Sequence, residues 1–462
     1  MEAADGQYLD NPYTHFYADL TFYQATPANP FGNGVFTPEG LYPLTGAGVH
    51  QLLLNYPTAD DRFPALSSSV GQGMAILEST IAADQAAGDA STVFDYSQSS
   101  TVASYVMEQL DPSGTPQTGA TDPQFLLVAD PSNPNGGALK RFAGFETTSG
   151  QTVSDPLNLP SLGFVFDNAT PADDYVTSIY SLEYDGFADF PRYPLNFLSD
   201  LNAFLGIATL HGTYLNGFVP GNGGPTAEQI ADATLLPGSA ADGTADSLTN
   251  YYMIDETPPL VALLPQPLQN LLGPDLTYLI NLGYGDGSLG YSVDADSPAN
   301  VPTPFGLFPD VSLSTVLSTL ATDTQQGITA FENDLADPAA LLASLHPASS
   351  GQSLTDLLSA LWADAADPAA TFTDLVNAIS SAASTAYSTL LPLADIGNAL
   401  LTSLPAYGLS LFTENLSNGD LLDALGLPIA ANTGMDTLFA GFALAVIEHA
   451  ASEISADFSG LF

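Results

Sequence analysis

VFDYSQSSTVAS, Val93–Ser104, is the stretch on which the reading of the fold turns. A β-prone run ends at Tyr96, Ser97 takes the turn, and Val102, Val106 and Leu110 then stand four apart, as on one face of a helix. A strand, a sharp turn tipped with serine and a helix in succession make a nucleophile elbow, usually written G-x-S-x-G. Such a turn lifts the hydroxyl above the sheet edge. It also aims the next backbone N–H, that of Gln98, at an oxygen that becomes negative in a tetrahedral intermediate. Small residues are wanted two before and two after the serine, where neighbouring strands pack closely. Ser99 meets the second requirement and Asp95 departs from the first. A serine between strand and helix is also a common N-cap, so the segment alone leaves both readings open.

The sequence around the elbow reads as alternating helix and strand. Val70–Ala87 places Met74, Ile76, Leu77 and Ile81 at helical spacing, with Gly88 as its stop. Gln124–Ala129 (QFLLVA) is apolar on both faces, as a strand buried in a parallel sheet should be. Leu162–Phe166 and Val176–Tyr184 are two further strand candidates. Helices and strands joined by short links predict an α/β sheet with right-handed crossovers and helices on both faces.

Order along the chain adds to the elbow. The hydrolases that use it present serine, then an acid, then histidine. Asp185 follows the strand candidate that ends at Tyr184, Asp189 comes four later, and His211 appears next in LHGTY. A polar residue just past a strand's carboxyl end is where an acid should orient an imidazole. Glu183, two residues earlier, is the lesser candidate. Asp189 has a second reading as a surface partner of Arg192, and His211 has one as a helix cap or interface residue. His15, His50, His346 and His449 have no serine-plus-acid context.

Composition excludes several functions. Lys+Arg total 4 against 51 Asp+Glu, a formal net charge of −47, so the chain lacks the cations that bind nucleic-acid backbones or anionic lipid. With no Cys there are no disulfides, thiolate metal sites or Cys nucleophiles. Only 12% of residues are charged, fewer than on a salt-adapted surface. The first ten residues, MEAADGQYLD, show no signal peptide. The longest apolar run, Leu438–Ile447, is too short to span a bilayer, so a soluble chain is expected. Asp286, Asp294 and Asp296 sit among glycines, but their spacing matches no calcium loop and reads as a solvated turn. The chemistry read here needs no metal and no cofactor.

All four basic residues, Arg62, Lys140, Arg141 and Arg192, precede Tyr193, and the Gly/Pro-rich VPGNGGPT marks a boundary near Pro220–Pro225. Residues 1–220 then form the α/β domain. Residues 221–462, rich in Ala, Leu, Asp and Ser, form a mainly helical region that caps the sheet's carboxyl edge. In it, Ala336–Ala340 (ADPAA) recurs as Ala366–Ala370, each copy a helix start with Asp before Pro. Leu391–Leu411 and Leu438–Ile447 read either as core helices or as the lining of an acyl-chain groove.

TPEGLYPLTG (Thr37–Gly46), SVGQGMAILESTI (Ser69–Ile81), YSQSSTVAS, VADPSNPNGGALKRF (Val128–Phe142) and EYDGFADFPRYPLN (Glu183–Asn196) resemble the PE-PPE domain of mycobacterial surface proteins. The similarity runs from about Asn11 to Asn216. It implies an α/β-hydrolase sheet of the cutinase type and a Ser-Asp-His triad, with Ser97 as nucleophile, His211 as base and Asp185 as orienting acid. Asp189 is the reserve acid, and the backbone of Gln98 is an oxyanion donor. It further implies ester or glycolipid substrates of short to medium acyl chain, acyl transfer in some members, and an envelope location with peripheral lipid contact. Two departures stand out. Asp95 replaces the family's glycine, where a carboxylate would crowd the elbow or, if buried, become protonated. The first strand, with the Gly-Thr-Gly-like loop that gives a second oxyanion donor, is expected to be missing, as is the N-terminal secretion module. Both departures predict weakened or silenced turnover, and they motivate the alternative of a catalytically impaired envelope protein that keeps the hydrolase fold as a lipid-binding or antigenic surface module.

Overall fold

The computed structural model describes residues 66–143, 145–146, 152–153, 158–159, 164–166, 169–214, 224–243, 247–293, 297–336, 393–394 and 396–459. The expected first strand and its loop, most of both ADPAA copies, and His15, His50, His346, Asp294 and Asp296 lie outside these residues.

Helix α1 (Leu66–Ala87) leads to strand β1 (Thr92–Tyr96), helix α2 (Gln98–Leu110) and strand β2 (Gln124–Val128). Gly88 ends α1 at φ 80°, a left-handed position that favours glycine, and gives its N–H to the Gln85 carbonyl. A single turn, α3 (Ala138–Arg141), and strand β3 (Thr177–Leu182) follow, then α4 (Phe197–Thr209) and α5 (Ala227–Ala231). Next come β4 (Thr234–Leu235), β5 (Thr249–Ile254), α6 (Pro259–Ala262) and α7 (Gln266–Asn281). The remaining long helices are α8 (Leu313–Ala336), α9 (Leu404–Asn418) and α10 (Leu421–Ser459).

The main sheet has five strands in the order β1-β2-β3-β5-β4. The first four run parallel, and β4 lies antiparallel on the edge of β5. The fold is thus mixed α/β, with a mostly parallel sheet and a helical C-terminal region. Alternation along each strand explains why both faces are dry. Phe125, Leu127, Ile179, Tyr251 and Met253 join one core with α1, α2, α9 and α10. Phe94, Tyr96, Leu126, Val128, Tyr180, Leu182 and Ile254 join a second core with Tyr214 and Ile230. Residues one apart point to opposite faces, so a strand buried on both sides loses the usual apolar/polar alternation, as Phe125–Val128 does, while β3 buries Thr177, Ser178 and Ser181 beside its apolar residues.

Two expectations change. Leu162–Phe166 gives only Phe164–Val165, which pairs antiparallel with Asn158–Leu159 outside the main sheet. The expected boundary at 220 falls among residues 215–223, outside the described set, and the sheet takes β5 and β4 from beyond it. Hydrogen bonds also cross that line. The Arg141 guanidinium, one of the few cations, is buried and donates to the carbonyls of Phe190 and Thr303 and to Asn135 Oδ1. Burial lowers it to about 10, so it stays charged near neutrality. The C-terminal helices seat on the same core: a Cβ at Gly434 would meet Phe142 and Pro194, and α10 sends Phe442 against Phe187.

Candidate active site

Three non-glycine residues among those described have positive φ: Ser97 at 57°, Ala129 at 55° and Tyr184 at 68°. They stand just past the carboxyl ends of β1, β2 and β3, three neighbours in the sheet. Such conformations cost about 1–3 kcal/mol each and persist where the surroundings hold them, most often at functional sites. Ser97 has φ 57° and ψ −117° and opens α2 without a side-chain cap, so the N-cap reading does not apply. Its N–H is tied to the last carbonyl of β2, Ser97 N to Val128 O at 3.0 Å. The Ser100 hydroxyl binds the same carbonyl at 3.2 Å. Ser99 closes the elbow from behind, accepting the Tyr96 N–H at 2.8 Å. The small residue two beyond the serine is therefore part of the turn's own hydrogen bonding.

His211 arrives from the end of α4. Gly206 O accepts both the Leu210 and the His211 N–H, at 2.8 and 3.1 Å, which breaks the helix and turns the imidazole back toward the sheet. This works because α4 lies on the turn after β3. A Cβ at Gly206 would stand 1.8 Å from Tyr184 O, and one at Gly186 would stand 2.4 Å from Ala203 O. Glycine at both positions lets helix and turn touch, and that contact sets His211 over Asp185.

The structure brings together the three residues read from the sequence. Ser97 Oγ lies 2.7 Å from His211 Nε2, and His211 Nδ1 lies 2.8 Å from Asp185 Oδ2 and 3.0 Å from Oδ1. Asp185 is fully buried, while His211 keeps 13% of its side-chain surface exposed. Both Asp185 oxygens have further donors: Phe187 N–H reaches Oδ1 at 3.1 Å and the Tyr214 hydroxyl reaches Oδ2 at 2.7 Å. Rings wall the imidazole. Tyr96 stacks at 5.8 Å between centroids and Phe187 meets it edge-on at 4.7 Å, and the Tyr96 hydroxyl donates to the His211 carbonyl. Tyr96 and Tyr214 stand in the quoted YSQ and LHGTY stretches, one before the serine and three after the histidine, yet their spacing alone does not reveal this role.

The reserve residues are placed elsewhere. Asp189 is buried, and its Oδ2 accepts the Tyr184 N–H at 3.1 Å. Burial pushes its carboxyl well up. Its expected partner Arg192 instead donates to Ser297 Oγ at 2.6 Å. Glu183 accepts the backbone N–H groups of Gly290 and Glu256 at 2.7 and 3.1 Å, and burial raises it to about 7. Asp95 is 2% exposed, on the sheet face it shares with Leu127, and burial raises its carboxyl as expected for that position. Burial also lifts Asp130, past the end of β2, to about 6, against the hydrogen bond from Thr170. Gln98, first residue of α2, is buried beside the serine. A helix N-terminus there supplies both N–H donors and the positive end of the dipole. Asp286 accepts from the N–H and hydroxyl of Ser288, an Asx turn on the surface.

The PE-PPE domain model matches residues 29–285 of this chain. The uncharacterized PPE family protein PPE28 of Mycobacterium tuberculosis (strain ATCC 25618 / H37Rv) is 38% identical over 463 residues, covering 96% of this chain and 64% of that protein. Esterase PE16 of the same strain is 37% identical over 287 residues, 60% of this chain and 45% of that protein. PE family protein PE3, again from that strain, is 36% identical over 312 residues, 65% of this chain and 55% of that one. The chain thus spans 45% to 64% of the length of these three curated relatives. No solved structure matches it. The elbow, the residues gathered over it and a family match across more than half the chain lead to one assignment: this chain belongs to the PE-PPE domain family.

Proposed function

We propose that the chain is a serine carboxylester hydrolase on an α/β-hydrolase sheet of the cutinase type. The observation that carries this is the unbroken line of hydrogen bonds from Ser97 Oγ through the His211 ring to Asp185. The esterase named among the relatives supports it. In this reading His211 Nε2 takes the Ser97 proton as Oγ attacks the ester carbonyl. The carbonyl oxygen becomes an anion against the Gln98 N–H at the start of α2. Asp185 holds the imidazole in the tautomer with Nδ1 protonated and stabilises the imidazolium. His211 then protonates the departing alkoxide, leaving an acyl group on Ser97 and releasing the alcohol. A second hydroxyl, from water or from a sugar, gives its proton to Nε2, attacks the acyl carbonyl and frees the serine.

The choice of acceptor decides between hydrolase and acyltransferase. Asp185 is buried and aromatic rings wall the imidazole, while Ser97 and His211 are partly exposed, so water can reach the acyl-enzyme. A carbohydrate hydroxyl that binds beside the acyl-enzyme would compete with it through proximity. The reading includes a glycolipid or simple ester of short to medium acyl chain as substrate, and residence at the cell envelope with peripheral contact to its lipid. No helix among the described residues is long and apolar enough to cross a membrane. Products should be separated after incubation with a para-nitrophenyl ester, with and without trehalose. Free acid in both arms is expected of a hydrolase, and acylated sugar in the second arm of a transferase. Neither product above the Ser97→Ala background would overturn the reading.

A further inference from the structure

Tyr214 lies fully buried three residues after His211, and its hydroxyl is spent on the acid of the site. It accepts the N–H of Leu182, the last residue of β3, at 2.8 Å and donates to Asp185 Oδ2 at 2.7 Å. The second distance is an ordinary O–H···O hydrogen-bond length, here made to a carboxylate oxygen. A buried tyrosine needs a hydrogen-bond partner wherever it sits, so satisfaction alone says little. What singles out Tyr214 is the partner and the place. The turn that carries His211 ends on this residue, Thr213 N–H closing back on the Leu210 carbonyl at 2.8 Å. The same residue then grips the carboxylate on which His211 rests.

We propose that Tyr214 is a positioning residue for Asp185 and, through it, for the His211 imidazole; the proposal rests on the esterase reading of this site. Asp185 has three donors in fixed directions. Phe187 N–H holds Oδ1, the Tyr214 hydroxyl holds Oδ2, and the His211 Nδ1 side lies between them. Two of the three fix the plane of the carboxylate before the imidazole arrives. The Leu182 N–H polarises the phenol in turn, so a backbone group of the sheet is linked through Tyr214, Asp185 and His211 to Ser97. The phenol also draws negative charge toward itself on Oδ2. Its removal leaves a carboxylate that rotates more freely and concentrates more charge on the imidazole. The first effect slows turnover, and the second holds a proton on His211 more tightly.

The variant Tyr214→Phe keeps the ring that packs on Tyr96 and His211 and removes only the hydroxyl. The other ionisable side chains that face the pair, Tyr96 and Asp189, are untouched. Turnover of an ester that shows Ser97-dependent hydrolysis should fall about tenfold with KM unchanged, the size expected for one lost hydrogen bond to a charged group. The acidic limb of the kcat/KM profile should move to higher pH. Replacing the Tyr214 phenol with its meta-fluoro analogue, a stronger donor of nearly the same shape, should move that limb down, and this variant decides the matter if Tyr214→Phe fails to fold. The downfield Nδ1 proton resonance of His211 reads the same bond without turnover and should shift in both variants. A limb and a resonance that stay where the unmodified chain has them would overturn the proposal. A resonance that shifts in a chain without Ser97-dependent hydrolysis would uphold the positioning role and overturn the esterase reading.

Discussion

His211→Ala should lower ester turnover by about 10⁴–10⁶-fold while the protein still folds, because the serine hydroxyl then has no base. The size follows from how the residues share the work. Ser97 is a weak nucleophile unless its proton leaves as it attacks, and the acceptor for that proton is Nε2 at 2.7 Å. Asp185→Asn should cost about 10⁴-fold on the same argument. The amide can offer Nδ1 a donor where the carboxylate offered an acceptor, which favours the wrong imidazole tautomer. The losses should not add, since each variant breaks the same chain. Losing His211 takes one partner from the buried Asp185 carboxylate, which keeps the Phe187 N–H and the Tyr214 hydroxyl, so the melting temperature should fall while unfolding stays cooperative. Turnover of para-nitrophenyl esters by both single variants and the double variant is the check. His211→Ala within tenfold of the parent would remove His211 from the mechanism, and Asp185→Asn within tenfold would remove Asp185 as its orienting acid.

The second large effect is on stability. The folded chain should be more stable near pH 5 than near pH 8. Burial raises Glu183 from 4.5 to about 7 and Asp130 from 3.8 to about 6. Between the unfolded and folded values of each group, the folded state keeps a proton that the unfolded chain has lost. The folded state then binds more protons, so stability is fully present below the unfolded value and is lost as pH rises to the folded one. Each of these two shifts amounts to about 3 kcal/mol. Asp95, Asp189 and Asp200 are pushed by burial in the same direction. Repulsion within a chain of net charge −47 adds to the trend. Salt separates the two sources, because it screens surface repulsion far more than buried groups. Melting curves from pH 5 to 8 at low and high salt should fall by several degrees with rising pH in both. Glu183→Gln, which keeps an oxygen for the Gly290 or Glu256 N–H, should flatten part of that slope. Stability that climbs from pH 5 to 8 would contradict the burial argument.

Much of the site could be read from the sequence because its signals are local. The elbow is a strand, a turn and a helix in a dozen residues, and the acid lies just past a strand candidate. His211 is the sole histidine between the serine and the helical half. After Gln124, FLLVA has no polar position, which is the mark of a strand buried on both faces. Other features depend on contacts that no local pattern carries. The boundary near 220 came from composition and charge, but sheet membership is set by pairing, and TNYYMI at Thr249–Ile254 pairs with β3 whatever its net charge. Leu162–Phe166 reads as a strand candidate, but a short apolar run does not say which sheet it joins. Gly186 and Gly206 earn their place only when α4 meets the turn after β3. Tyr214 was invisible as a partner of Asp185 because its contact spans 29 residues.

The central claim, that Ser97 is an activated nucleophile, is tested most directly by intact-mass analysis after treatment with a fluorophosphonate. That reagent needs no guess about the acyl chain or the acceptor, since it reports only whether a serine attacks phosphorus. The account predicts one adduct on the unmodified chain, none on Ser97→Ala and much slower labelling of His211→Ala. A folded, cooperatively melting chain that takes up no adduct, or one that labels equally well without Ser97, would contradict it.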